Sequence, residues 1–156
     1  MAAPIVSWKE YSVGSGFTDF TTWSIGNWDT GSTTPAKRVY IWNNYNSSEA
    51  GIADMENSSF TTKDLQGGNT GEPIVDKWIH VTCTGGLPDT AVGGTTVYSL
   101  KAKDSGIGDG IIQGGINTGN INDDTNFAEV DMWAVIDPLA TPGTYQFYIR
   151  VGYSFV

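Results

Sequence analysis

The chain has 156 residues, of which 8 are basic and 17 acidic, so its formal charge at pH 7 is −9. This length fits one domain, the 39% hydrophobic content excludes a disordered chain, and no apolar run approaches the ~20 residues that cross a bilayer. Eight scattered cations do not form the basic face that nucleic acid requires, and one His and one Cys exclude an internal disulfide and most multi-ligand metal sites.

The N-terminal residues differ from a secretory signal, although the Gly-, Thr-, Ser- and Asn-rich composition is typical of extracytoplasmic β-proteins. Residues 1–8 contain neither a basic segment nor an apolar one. Two explanations stay open. A signal has been removed, or the protein is made in the cytosol and leaves by another route, of which a lysis-released virus particle is the simplest. We favour the second, and therefore predict a location in the virion, with the extracellular surface as the alternative.

Two-residue alternation of apolar and polar side chains recurs along the chain, and helical periodicity is almost absent. The pattern predicts strands over 5–13, 17–25, 38–43, 52–62, 75–83, 95–103, 128–136 and 143–156. Turn signals such as Gly85-Gly86, Gly93-Gly94 and Pro142-Gly143 separate most of them. The sequence therefore predicts one all-β domain over 1–156, an antiparallel β-sandwich of seven to nine strands, immunoglobulin-like or jelly-roll-like.

The segment 104–126 departs from this pattern, because it holds six glycines and five isoleucines without regular alternation. A structureless loop of this length is uncommon in a compact domain. One interpretation is a hairpin that pairs near Ile111, Ile112 and Ile116. The other is an arm that becomes ordered only against a neighbouring subunit and buries these isoleucines there.

Groups that could carry catalysis are sparse. His80 is the only imidazole, and Cys83 lies on the opposite face of the same predicted strand, where it reads as a small buried hydrophobic residue. Neither a nucleophile elbow nor a phosphate-binding loop is present. We therefore predict no enzymatic activity and no cofactor, while a glycan hydrolase that uses two carboxylates stays a third hypothesis.

Calcium is the metal that the loops best suit, because it prefers oxygen ligands. Acidic and amide side chains cluster there at Asp104, Asp109, Asn122, Asp123 and Asp124. The spacing of an EF-hand is missing, and these residue types are also the ordinary residues of turns, so no metal site is predicted.

Aromatic residues form the other candidate contact surface. Trp23, Trp28, Trp42 and Tyr45 lie close together in sequence, and such side chains either fill a two-sided core or contact sugars and protein partners. Their number exceeds the need of one core. We therefore predict partner contacts at Trp23, Trp28, Trp42 and Tyr45, and at the three isoleucines of the 104–126 segment.

Residues 137–147, Asp-Pro-Leu-Ala-Thr-Pro-Gly-Thr-Tyr-Gln-Phe, resemble the strand–corner–strand segment of immunoglobulin-like sandwiches. In that family the corner tyrosine donates a hydrogen bond to backbone just upstream, and the resemblance places Tyr145 in this role. More broadly, the acidic, Gly-, Thr- and Asn-rich chain resembles accessory structural proteins of bacteriophages.

The N-terminus, the composition, the lack of a catalytic set and the surplus of aromatic and Gly-rich segments together predict a non-catalytic virion protein, a capsid decoration or surface accessory protein. Its expected partners are a viral capsid or other virion protein and further copies of itself as a homo-oligomer, with neither nucleic acid nor membrane. The alternative is a carbohydrate-binding or adhesive cell-surface module.

Overall fold

The computed structural model describes all 156 residues and contains nine strands and one helical turn. The elements are β1 (Val6–Ser12), β2 (Gly16–Asp19), β3 (Lys37–Asn43), β4 (Glu56–Lys63), α1 (Glu72–Val75), β5 (Ile79–Cys83), β6 (Thr90–Val92), β7 (Tyr98–Ser99), β8 (Phe127–Ala134) and β9 (Tyr148–Ser154). The predicted all-β class is confirmed. No helix of the structure has the length that a bilayer crossing requires.

The strands form two antiparallel sheets that pack face to face as a sandwich. The larger sheet has six strands in the order β2-β1-β3-β8-β5-β6, and the smaller has three in the order β7-β4-β9. The short connection between β6 and β7, which closes on itself through a Gly93–Thr96 bridge, leads from the large sheet to the small one. On the opposite side, β9 pairs with β4 alone and forms a free edge.

The main core lies between the sheets and follows the predicted alternation. From the large sheet, β3 contributes Val39 and Ile41, and β8 contributes Val130 and Met132; all four are fully buried. Across the sandwich they meet Phe60 of β4, together with Tyr98 and Leu100. In 95–103 the alternating residues Tyr98, Leu100 and Ala102 are buried as predicted, although only Tyr98 and Ser99 form a strand.

A second aromatic layer covers part of the outer face of the large sheet. Tyr40, Trp42 and Phe127 are buried there, and Phe17 and Tyr45 pack on them. The ring centroid of Phe17 lies 5.0 Å from that of Tyr40 and 5.9 Å from that of Tyr45, and the Tyr45 centroid lies 4.9 Å from that of Trp42. The two-sided core that the aromatic content allowed therefore exists at this position. Both faces of β3 are consequently buried.

The predicted strands 75–83 and 143–156 begin later in the structure than the alternation indicates. In 75–83, Val75 belongs to α1 and Lys77 has a positive φ of 52°, so the strand begins only at Ile79. Pro73 at the start of α1 favours this helical turn. In 143–156, the strand begins at Tyr148, and its apolar face is half-buried because β9 lies at a sheet edge.

The 104–126 segment folds onto its own chain, and neither predicted form of it is found. Ile112 pairs with Met55 across an isolated bridge and is fully buried in the main core, and the Gln113 amide donates to the Thr125 carbonyl. Burying Ile112 removes apolar surface from water within one subunit, so no neighbour is needed to order the segment.

Asparagine side chains fasten this segment to the end of the sandwich. The Asn43 amide donates to the Ile112 carbonyl at 3.2 Å, and the Asn44 amide donates to the Gly114 carbonyl at 2.9 Å. Asn117 donates in return to the Asn44 carbonyl at 2.6 Å. The carbonyls of Gly114 and Asn44 accept no backbone hydrogen bond, so these side chains supply their partners, whereas the Ile112 carbonyl also accepts from the Met55 amide.

Tyr145 makes the contact that the immunoglobulin-like corner implies. Its hydroxyl donates to the carbonyl of Thr141, four residues upstream, and its ring packs edge-on against buried Trp78 at a centroid distance of 5.0 Å. The strand itself starts three residues later, at Tyr148.

Candidate functional site

The four aromatic residues singled out from the sequence separate into two pairs in the structure. Trp42 and Tyr45 belong to the outer aromatic layer, where Trp42 is fully buried and Tyr45 half-buried. Trp23 and Trp28 instead line a cleft in the loop between β2 and β3. The prediction of Trp42 as a contact residue is therefore wrong, since aromatic neighbours of its own chain cover its side chain.

The three predicted isoleucines also have separate surroundings. Ile112 lies in the core and presents no side chain to a partner, so its predicted contact role is wrong. Ile111 is half-buried. Ile116 is 63% exposed in the loop that the asparagines hold, and it alone of the three has a large accessible surface.

The tryptophan cleft has a volume of about 290 Å³ and lies between residues 22–28 and 34–37. Trp23 packs with one side against the main core, whereas Trp28 is 44% exposed. The Trp28 indole N–H donates to the Ile25 carbonyl at 2.6 Å, which fixes the orientation of its ring. The cleft thus presents the indole of Trp23, which packs on the core, and the exposed indole of Trp28.

A second cleft of about 290 Å³ shares Lys37 with the first and includes Tyr11, Thr18 and Arg38. The ammonium group of Lys37 forms an ion pair with the carboxylate of Glu10. Lys37 therefore enters both clefts as a cation that is already paired.

The free edge of β9 is the other accessible feature. The alternation in 143–156 predicts a strand but does not indicate that the strand lies at a sheet edge. None of its backbone groups bonds to backbone outside the β4 ladder. Tyr148 is 57% exposed and Tyr153 40% exposed. Arg150 is exposed and forms no ion pair, whereas Arg38 pairs with Asp131 through two bonds of 2.8 Å.

His80 and Cys83, the two reactive side chains singled out from the sequence, lie on opposite faces of β5. His80 Nδ1 lies 2.9 Å from Asp89 Oδ1 at the surface, and its ring stacks on Trp133. Cys83 lies in the core behind the sheet, where burial raises the pKa of its thiol to about 11. A nucleophilic role for Cys83 would need a base near its sulfur, and His80 points to the other face of β5.

Glu129 occupies an unexpected position, because the alternation of β8 predicts it outside and the structure buries it. Burial alone would raise the pKa of its carboxyl. The Thr84 hydroxyl at 2.6 Å, Lys103 at 3.2 Å and Arg38 at 3.5 Å outweigh burial and lower that pKa. This network joins β3, β8 and the neighbouring loops.

Acidic side chains in the loops act on nearby backbone. Asp123 accepts bonds from the amides of Thr118 and Asn120, and Asp104 accepts one from Gly106. No three His, Cys, Asp or Glu side chains are grouped closely enough to hold a metal ion. The predicted acidic cluster therefore shapes turns in this structure.

Comparisons of the chain with protein-family models, with curated proteins and with solved structures each find no match.

Proposed function

We propose that the chain is a non-catalytic structural protein of a virus particle, a capsid decoration protein or another accessory protein of the particle surface. It attaches through protein–protein contacts and associates with further copies of itself. The observation that carries the proposal is the free β9 edge with its exposed aromatic side chains.

A free edge strand presents unpaired backbone donors and acceptors that another strand can use. Proteins that remain monomeric usually protect such edges with charges, proline or a covering loop. β9 has one charge, Arg150, while Tyr148 and Tyr153 add apolar surface at its two ends. An edge of this kind suits addition of a strand from another protein.

Charge favours a particular kind of partner strand. The chain is acidic overall, yet Arg150 and Lys63 lie near each other on the outer face of the small sheet, on the neighbouring strands β9 and β4. We therefore propose that the occupant is an extended segment of a particle protein, with apolar side chains at alternate positions and a carboxylate that reaches Arg150.

Co-sedimentation with virus particles that lack the protein tests this proposal. The chain should pellet with the particles, and added salt should not prevent attachment, because the contact depends on β-pairing and apolar burial while salt screens repulsion between acidic chains. Tyr153→Glu places a carboxylate on the edge, where it repels the carboxylate proposed for the partner, and should lower the bound fraction at least tenfold. Val13→Glu is the matched control, since Val13 is 94% exposed in the turn between β1 and β2 and is not part of β9. Protein that stays in the supernatant at low and high salt would overturn the proposal.

Self-association has its own measurement. Symmetric particles repeat one site many times, so a cyclic oligomer gains affinity by engaging several sites together. Sedimentation equilibrium should give a mass that is a small multiple of the 16.7 kDa chain, with a trimer preferred. A monomer at all concentrations would remove the oligomer from the proposal and leave attachment to be judged by co-sedimentation.

A further inference from the structure

We infer that the cleft lined by Trp23 and Trp28 is a binding site for one ring of a neutral carbohydrate. None of the residues that line this cleft belongs to β9, so the inference does not rest on the attachment proposed above. It would give a particle-bound protein a second function, contact with glycans.

Trp28 supplies the stacking surface. An indole that is 44% exposed leaves apolar area in water, and covering that area with the C–H face of a sugar ring is favourable. The hydrogen bond from its N–H to the Ile25 carbonyl holds the ring in place before any ligand arrives. Binding therefore does not have to restrict a mobile side chain.

The loop that holds this indole is fastened at several points. The amide of Gly31 donates to Ile136 at 3.0 Å, and that of Thr34 donates to Ala134 at 2.9 Å. The Ala134 amide donates in turn to the Thr34 hydroxyl at 2.9 Å. Gly26, with a φ of +87°, makes the turn that brings Trp28 back toward Ile25. These bonds to the end of β8 give the cleft a fixed shape.

The size and polar lining of the cleft fit a single sugar ring. A volume of about 290 Å³ is at the lower limit of small-molecule sites and is too small for a large cofactor. Thr22 and Ser24 line it with exposed hydroxyl groups that have no hydrogen-bond partner in the protein. Free hydroxyls beside an indole provide both donors and acceptors for sugar hydroxyls.

Charge selects neutral sugars over acidic ones. Lys37 is the only ionisable side chain in the lining, and Glu10 already pairs with its ammonium group. An acidic sugar would meet no free cation in the cleft and would be repelled by the charge of −9. A neutral pyranoside carries neither penalty.

A glycan array with neutral and acidic glycans, followed by saturation-transfer NMR, tests the inference. The soluble probes are cellopentaose, maltopentaose and chitopentaose, with an oligouronate as the acidic comparison. At least one neutral probe should bind saturably, with a dissociation constant on the order of 1 mM for one stacked ring. The oligouronate should not bind.

Two variants locate the site. Trp28→Ala should abolish saturable binding, or weaken it at least tenfold, without changing circular dichroism or co-sedimentation with particles. Trp133→Ala is the matched control, because Trp133 is a partly exposed tryptophan on the outer face of the large sheet, and it should bind as the original chain does.

Three results would overturn the inference: no saturable binding to any neutral glycan, full binding by Trp28→Ala, or preference for the acidic probe. Because no residue of β9 lines the cleft, failure here would leave the attachment proposal standing, and failed co-sedimentation would leave glycan binding standing.

Discussion

Gly114 lies directly against Ala53, with no space for a side chain between the two residues. A Cβ atom at Gly114 would lie 2.5 Å from the carbonyl oxygen of Ala53, well inside van der Waals contact. At this point the loop that follows Ile112 passes over the backbone that precedes β4. The contact requires glycine at position 114. It does not require glycine at position 115, because a Cβ atom there would meet nothing within 4 Å.

These adjacent glycines give a matched pair of substitutions. Gly114→Ala should destabilise the protein by about 3 kcal/mol, because the methyl group forces the two backbone segments apart. Gly115→Ala should change the free energy of unfolding by less than about 1 kcal/mol, and in the stabilising direction. Urea denaturation of both variants measures the difference. Equal stabilities would contradict the close packing at Ala53.

Stability should decrease in acid. The folded state lowers the pKa of Glu129 through Thr84 and the two neighbouring cations, and hydrogen bonds from Thr70 and nearby amides lower the pKa of Asp64 to about 2. The unfolded chain therefore binds these protons at higher pH than the folded chain. The resulting stability is complete above the ordinary carboxyl range and is lost as the pH falls from about 5 toward 2.

Glu129→Gln tests the largest buried part of this effect. The variant should lose about 1–3 kcal/mol at pH 7, because Lys103 no longer has its carboxylate partner. Its unfolding free energy should also vary less with pH between 5 and 2 than that of the original chain. Glu49→Gln is the control, since Glu49 is exposed and forms no ion pair. A Glu129→Gln profile that parallels the original would refute the assignment.

The hydroxyl of Tyr98 should contribute measurably to stability. It accepts a bond from the Cys83 amide at 2.9 Å and donates one to the Leu87 carbonyl at 2.6 Å. Tyr98→Phe would leave the buried Cys83 amide without a partner and should cost about 1–3 kcal/mol. Tyr148→Phe is the control, because it removes an exposed hydroxyl from β9 and should leave the stability unchanged. Thermal unfolding of the two variants measures the difference.

Cys83 should react slowly with thiol reagents while the protein is folded. Burial raises the pKa of its thiol to about 11, so at pH 8 its reactive thiolate is about a hundredfold scarcer than in the unfolded chain. Reaction with iodoacetamide, followed by mass spectrometry, should be at least that much slower in buffer than in urea. Comparable rates in both conditions would place the sulfur at the surface.

Alternation along each strand was enough to predict the class of fold and much of the main core, but not what covers the outer faces. Val39 and Ile41 are identifiable as inward-facing from their spacing alone. The burial of Trp42 and Glu129 depends on residues distant in sequence, such as Phe17 and Lys103, which local periodicity does not include. Ile112 enters the core through one isolated bridge, so it has no pattern to recognise.

The candidate sites divide in the same way. Trp23 and Trp28 belong to one loop and line one cleft, whereas Trp42 and Tyr45, which the same proximity in sequence grouped with them, lie in the outer aromatic layer. The β9 edge arises from strand order, which is a property of pairing between distant segments. The four-residue turn α1 is too short to carry a helical period, and for that reason 75–83 read as a continuous strand.

The pairing of β3 with β8, and of β4 with β9, determines how quickly this protein can fold. In both pairs the partners lie far apart in the sequence, as Trp42 and Phe127 or Lys63 and Tyr148 do. The entropy of closing such long loops must be overcome before either pair contributes favourable energy. Refolding should accordingly take milliseconds to seconds, the range of β-sandwiches with mostly non-local contacts. During that interval the strands are unpaired, and in a concentrated solution they can pair with strands of other chains and aggregate.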